Sequence, residues 1–375
     1  MSATRSRVVV ILTAAIFGLT YGLSAPLIAL RLDDAGFGET LIGLNAAMHA
    51  LGVLLVAPIL PGLAARLGMA RLALLALGLA ALLLALFPAM PTVWLWFPLR
   101  LGLGIASETL FVVSETWVNQ ITTEDARARS MAAYTASLSL GFALGPVVLT
   151  FSSSAGAPPF LLGSLIALAA AALLLLMRPQ PAVIEHAPPL NPRRALSLAP
   201  MAIAATALNA ALETAGLSLL ALYAMGQGWA ERPATLLIST LMTGAIVLQL
   251  PIGWLGDRFD RRRLAVILTF VSAAGAGLWP LVLSEPWLAY PLLFLWGGAF
   301  VGIYTLMITI LGSRFRGGEL VGLYAILSVA WGIGALLGPP LGGAAMEATT
   351  HGLPVFAAAG CTALALFLIR SRSQS

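Results

Sequence analysis

Four ionisable side chains sit among residues that are otherwise apolar. Arg100, Glu108 and Glu115 fall in one apolar run, 94–117, and Glu213 falls in another, 198–225. On a helix the first three occupy an arc of about 80°, bordered by Ser107 and Ser114. Thr206, Asn209 and Glu213 share about 60° of the second run. Thr13, Phe17, Thr20 and Ser24 share a face of the run 8–30, with Tyr21 beside them. Trp296, Phe300 and Tyr304 form an aromatic ladder at helical spacing in 287–312.

Runs of this length can cross a bilayer, where an ionised side chain costs about 2.5–3.5 kcal/mol on insertion scales. Such a group faces a partner or a wet cavity. A carboxylic acid withdrawn from water favours its neutral form, which suits it to carry a proton. Glu108 and Glu213 are therefore the candidate proton carriers, and Arg100, Glu115 and His49 are further candidates for proton coupling. The competing readings are an ion pair between Glu108 and Arg100, and a protonated Glu213 hydrogen-bonded to Asn209. Arg100 can orient an anionic substrate, hold Glu108 or bond backbone carbonyls. Glu115, nearer the end of its run, reads as a structural or gating group. His49, with Asn45 one turn away, reads as an interhelical histidine or a proton relay. Tyr21, Asn209, Trp296 and Tyr304 are candidate cavity-lining residues.

Composition says which solvent positions these groups. Hydrophobic residues make up 60% of the 375 residues and charged residues 9%. Soluble domains carry about 25% charged residues. So few charges cannot cover the surface of a soluble protein of this length, and the expected solvent is lipid. All 20 basic residues are Arg. Without Lys there is no P-loop and no Schiff base, so ATP-driven pumping by this chain alone is excluded. The single Cys361 forms no internal disulfide, and His49, His186 and His351 are too scattered for a metal cluster. No cofactor is expected.

Twelve apolar runs are long enough to span: 8–30, 40–61, 71–90, 94–117, 130–152, 158–177, 198–225, 233–254, 264–284, 287–312, 319–344 and 352–370. The first is too long for the apolar core of a signal peptide and has no small-x-small cleavage site after it, so it is read as a span. With the N-terminus inside, the inner segments hold 17 of the 20 Arg residues. The outer loops hold only Arg31 and Arg232, and Arg100 lies within a span. The positive-inside rule then places both termini in the cytoplasm. The basic balance is thus a topology signal and not a nucleic-acid one.

The Pro-rich stretch 178–197 divides the chain into an N-terminal six-helix bundle, 1–177, and a C-terminal one, 198–375. The halves repeat. At an offset of 192, Arg66 meets Arg258, Arg71 meets Arg263 and Pro88 meets Pro280. At 193, Gly141, Gly145 and Pro146 meet Gly334, Gly338 and Pro339. Parallel six-span repeats fit a transporter with its site between the halves. The Gly-x-x-x-Gly pairs suit close helix packing as well as any mechanistic role.

One segment is more specific. Gly253-Trp254-Leu255-Gly256-Asp257-Arg258-Phe259-Asp260-Arg261-Arg262-Arg263 resembles the G-x-x-x-D-R-x-G-R-R loop signature of the Major Facilitator Superfamily, with Asp260 in place of Gly. The matching first-half loop keeps Gly62, Arg66, Gly68 and Arg71 but has Ala65 where the acid belongs. Arg100, Gly104 and Ala106 are similar to the family's span-4 signature. Gly141, Gly145 and Pro146 are similar to the core of its antiporter signature. Ser114 to Asn119 resembles a segment of the YcaD-like branch. The resemblance covers the whole chain. It implies a fold of twelve transmembrane helices in two bundles, usually monomeric, with spans 1, 4, 7 and 10 around the cavity. It implies an inner latch on Asp257 and Arg258, with Arg261 and Arg262 beside it. It implies a secondary transporter of the inner membrane whose partners are a small molecule, protons and the bilayer.

The expected function is proton-coupled efflux of small amphipathic compounds. Proton symport or facilitated uptake of a metabolite is the alternative, and a transport-inactive sensor a further one. No nucleophile–base pair or phosphate loop suggests an enzyme.

Overall fold

The computed structural model describes residues 3–152, 155–177, 179, 198–315 and 317–371. The linker expected at 178–197 lies outside them apart from Pro179, and so do Arg178, His186, Arg193, Arg194, Arg316 and Arg372. The fold is all helical. Lipid offers nothing to a free backbone amide, so a chain this apolar closes its hydrogen bonds within each segment.

The helices are α1 (Ala3–Asp34), α2 (Glu39–Val56), α3 (Leu60–Leu67), α4 (Met69–Leu86), α5 (Trp96–Gln120), α6 (Glu124–Ser152) and α7 (Pro158–Met177). They continue with α8 (Pro200–Gly226), α9 (Glu231–Val247), α10 (Gln249–Arg258), α11 (Arg261–Val282), α12 (Pro286–Arg314), α13 (Gly317–Ala348) and α14 (Gly352–Arg370). Twelve spans long and apolar enough to cross a membrane lie among the described residues.

Two of the expected spans are each broken once. The second stops at Val56, turns through 57–59 and restarts as α3, with Pro58 in the turn and Pro61 in the first turn of the new helix. The eighth stops at Val247 and restarts at Gln249, with Pro251 in the first turn of α10. Proline has no N–H to give and is accommodated at a helix start. Pro58 and Pro251 stand at the offset of the internal repeat. Hydropathy reads through both breaks because the residues around them stay apolar.

The chain forms two compact units, Met1–Gly36 with Met48–His186, and Phe37–Ala47 with Ala187–Ser375. In the first, α1 packs along α6 and α4 sits between α5 and α7. Its core gathers Phe17, Leu72, Leu77, Leu110, Val113, Trp117 and Tyr134. In the second, α8 packs along α13 and α9 along α12. Its core gathers Ile252, Ile303, Leu306, Met307, Leu327 and Leu368.

The tightest contacts are backbone on backbone. A Cβ placed on Gly141 would run into the carbonyl oxygen of Ala15, and one on Gly145 into the backbone of Gly22. Their repeats behave alike: Gly334 abuts the carbonyl of Ala207, and Gly338 that of Ala211. Gly104 meets the carbonyl of His49, and Gly297 that of Leu241. Small residues allow this approach where no hydrophobic effect drives helices together. Gly145→Leu and Gly338→Leu should each cost at least about 1–3 kcal/mol, the range for overpacking, and lower the melting temperature in detergent. Gly277→Leu, at a position with open space, should melt like wild type. Equal melting of all three variants would contradict this packing.

Candidate transport site

In the first unit the polar face of α5 points into the bundle. Arg100 is 1% exposed, and its Nη1 donates to the carbonyl of Ser24 on α1 at 3.4 Å. Its Nε has no hydrogen-bond partner among the described residues. Arg100 makes no ion pair with Glu108, so of its readings the geometry displays the bond to a backbone carbonyl. Glu108 and Glu115 are half-buried and act on one another electrostatically. Neither has a basic or hydrogen-bonding partner among the described residues. Ser114 bonds the hydroxyl of Tyr134 at 3.1 Å, and Tyr134 also donates to the carbonyl of Phe111 at 3.2 Å, fixing α5 to α6.

His49 is 6% exposed, and its Nδ1 has no hydrogen-bond partner among the described residues. Its ring centroid lies 4.5 Å from that of Tyr21. Both rings line a cavity of about 20 Å³, together with Thr20, Ser24 and Ser107. Cavities of that size hold about one water if polar groups line them. The hydroxyls of Thr13, Thr20 and Ser24 already donate to carbonyls of their own helix. The structure thus brings Tyr21, His49, Arg100 and Ser107 together. Asn45 belongs to the other unit and is buried, its amide atoms without hydrogen-bond partners among the described residues.

In the second unit Asn209 Nδ2 donates to Glu213 Oε2 at 3.4 Å. No basic side chain pairs with Glu213 among the described residues. Thr206 bonds back to the carbonyl of Ala202. The aromatic ladder of α12 faces the interior of its own unit. Trp296 is 3% exposed, donates to the carbonyl of Ser272 at 2.8 Å, and contacts Trp279 and Phe300 at 4.8 and 4.6 Å between ring centroids. Tyr304 is half-buried two turns beyond Trp296.

The loop between α10 and α11 is built from local bonds. Arg261 Nη2 reaches Asp257 Oδ1 at 3.1 Å and its Nε the carbonyl of Gly256 at 3.0 Å. Arg258 lies 3.8 Å over the ring of Trp254. Asp260 caps α11, its Oδ1 accepting from the backbone N–H of Arg263 at 2.7 Å. This explains the departure from Gly. Gly68, its counterpart in the first half, has φ +78°, a backbone that favours glycine, whereas Asp260 has φ −59° and supplies a cap.

Among the polar contacts that escaped the sequence reading, two tie helix ends or breaks to other elements. Gln249, at the break before α10, donates to the carbonyl of Ala245 and accepts from Thr305. A lone amide in an apolar run was the available signal. Glu347 at the end of α13 accepts from the backbone N–H of Thr40 at 3.0 Å and from its hydroxyl at 2.7 Å. Nothing local in the sequence joins residues so far apart.

Comparison with known proteins agrees with this architecture. The family model of the Major Facilitator Superfamily matches residues 10–238 and 202–374. The chain is 26% identical over 348 residues to the uncharacterized MFS-type transporter YfkF of Bacillus subtilis, covering 90% of this chain and 88% of the relative. It is 24% identical over 285 residues to the MFS-type transporter YcaD of Salmonella dublin, covering 75% and 74%. Among solved structures it is similar to the nucleoside transporter NupG, with a TM-score of 0.83 at 13% identity over 97% of this chain and 99% of the other. A bacterial homologue of the lysosomal transporter Spinster gives 0.77 at 14% identity, over 98% and 95%. Both likenesses are of fold. This twelve-span chain belongs to the Major Facilitator Superfamily.

Proposed function

We propose that this transporter exports small amphipathic compounds in exchange for protons, by alternating access of the bundles 1–177 and 198–375 joined by the linker 178–197. It acts as a monomer in the inner membrane with both termini in the cytoplasm. One observation carries the reading. Each bundle has an acidic side chain inside an apolar helix, Glu108 and Glu213, and among the described residues neither has a basic partner.

An unpaired carboxylate in a low-dielectric site is neutralised by a proton or by a cationic group. The two compete for one negative charge, which is what exchange requires. Protonation releases the substrate, and loss of the proton prepares the next binding. Glu115 extends the acidic face of α5 toward the arginine-bearing end, and Arg100 and His49, both buried, contribute further polar groups to the coupling. Asp257 and Arg258, with Arg261 and Arg262, form the inner latch; in this structure Asp257 is held by Arg261 and Arg258 lies over Trp254. The uptake reading is favoured by one feature, the Asn209–Glu213 pair, an amide and a carboxyl that together suit a polar metabolite.

The direct test uses everted vesicles with an acidic interior, challenged with lipophilic cations, drugs and small organic acids. At least one compound should dissipate the gradient with wild type and not with Glu213→Gln or Glu108→Gln, both variants inserting normally. Normal coupling in both variants would remove these groups from the mechanism. Asp257→Asn should slow turnover several-fold and leave substrate affinity near wild type. A large loss of binding with normal turnover would contradict the latch.

A further inference from the structure

At the arginine-bearing end of the second unit lies a pocket of about 370 Å³, formed by the loop between α10 and α11 and the ends of α8, α10, α11 and α12. Three arginines, Arg261, Arg262 and Arg314, line it against two aspartates, Asp257 and Asp260. Most of these charges are already engaged. Asp257 holds Arg261, Asp260 caps α11, and Arg262 Nη2 donates to the carbonyl of Leu368 at 3.0 Å. Arg314 is exposed in the last turn of α12 and has no carboxylate or hydrogen-bonding partner among the described residues. The pocket therefore presents one uncommitted guanidinium.

The rest of the lining is amphipathic. Met201, Phe259 and Ile310 give it an apolar wall, and Phe259 is 62% exposed. Next to it Trp254 is 52% exposed and carries Arg258 over its ring. Exposed tryptophan and arginine at the end of a span mark headgroup depth in a membrane. A guanidinium forks onto a phosphate through two parallel N–H···O bonds. An apolar wall beside it accommodates the start of an acyl chain.

We propose that this pocket binds a phosphate group carried by a lipid headgroup, with Arg314 as its charge partner. Phosphate is the shared chemistry of lipid and soluble occupants. The apolar wall and the headgroup depth favour the lipid. Occupancy places a fixed anion beside Asp257 and Arg261, so lipid composition would bear on the same loop that carries the latch.

The test is native mass spectrometry of the full-length protein in detergent, with phosphatidylglycerol added as the probe. Wild type should retain the lipid, and Arg314→Gln should retain it about tenfold less. Arg314→Lys should recover part of the loss, because it keeps the charge without the fork, and this separates lost recognition from lost folding. Arg71→Gln, an exposed arginine outside the pocket, should behave as wild type. Equal retention by Arg314→Gln and wild type, or an equal loss in Arg71→Gln, would overturn the site. Excess inorganic phosphate at matched ionic strength should leave the lipid in place. Displacement would overturn the lipid assignment in favour of a soluble phosphate.

Discussion

A charge or an open backbone amide inside hydrocarbon has no water to turn to. Its free energy is met within the protein or not at all. This constraint makes the chain all helical and sends the arginines to the ends of the helices. It is also what gives the few exceptions their meaning. Arg100, Glu108, Glu115 and Glu213 are costly where they stand, so each must be matched to a partner, a cavity or a proton. Arg100 reaches a backbone carbonyl and Glu213 an amide, while Glu108 and Glu115 have no basic or hydrogen-bonding partner among the described residues.

The same constraint governs assembly. Lipid tails are as apolar as leucine, so helices gain little by hiding side chains from them. They gain instead from close approach, and glycine permits it. Gly141 and Gly145 on α6 seat against α1, and Gly334 and Gly338 on α13 seat against α8. The proline breaks at Pro58 and Pro251 fall at matching places in the repeat. Gln249 and Thr305 hold the second break against α12. The short segments beyond the breaks carry the arginine loops, which links the packing of each unit to the residues proposed as the latch.

Much of this was legible in the sequence, because the bilayer writes its demands into composition and period. Twelve spans follow from hydropathy, and the repeat follows from the spacing of Arg66 with Arg258 and Gly141 with Gly334. The polar face of α5 could be read from helical period alone. The breaks could not, because proline among apolar residues leaves hydropathy unchanged. Nor could the partners of Arg100, since three readings fit one buried guanidinium until the neighbouring helix was placed. Trp296 shows the same limit: its spacing on α12 is plain, but only packing against α11 decides which way it faces. The tie between Thr40 and Glu347 joins distant residues and has no local signal.

Proton exchange through Glu108 and Glu213 requires that these carboxyls take up and release protons within the working pH range. Infrared difference spectroscopy of the full-length protein in lipid reads the protonated carboxyl band directly as pH is raised. Wild type should lose such a band as pH is raised, and Glu108→Gln and Glu213→Gln should each remove part of it. A spectrum with no titrating carboxyl band assignable to either residue would contradict proton coupling at both.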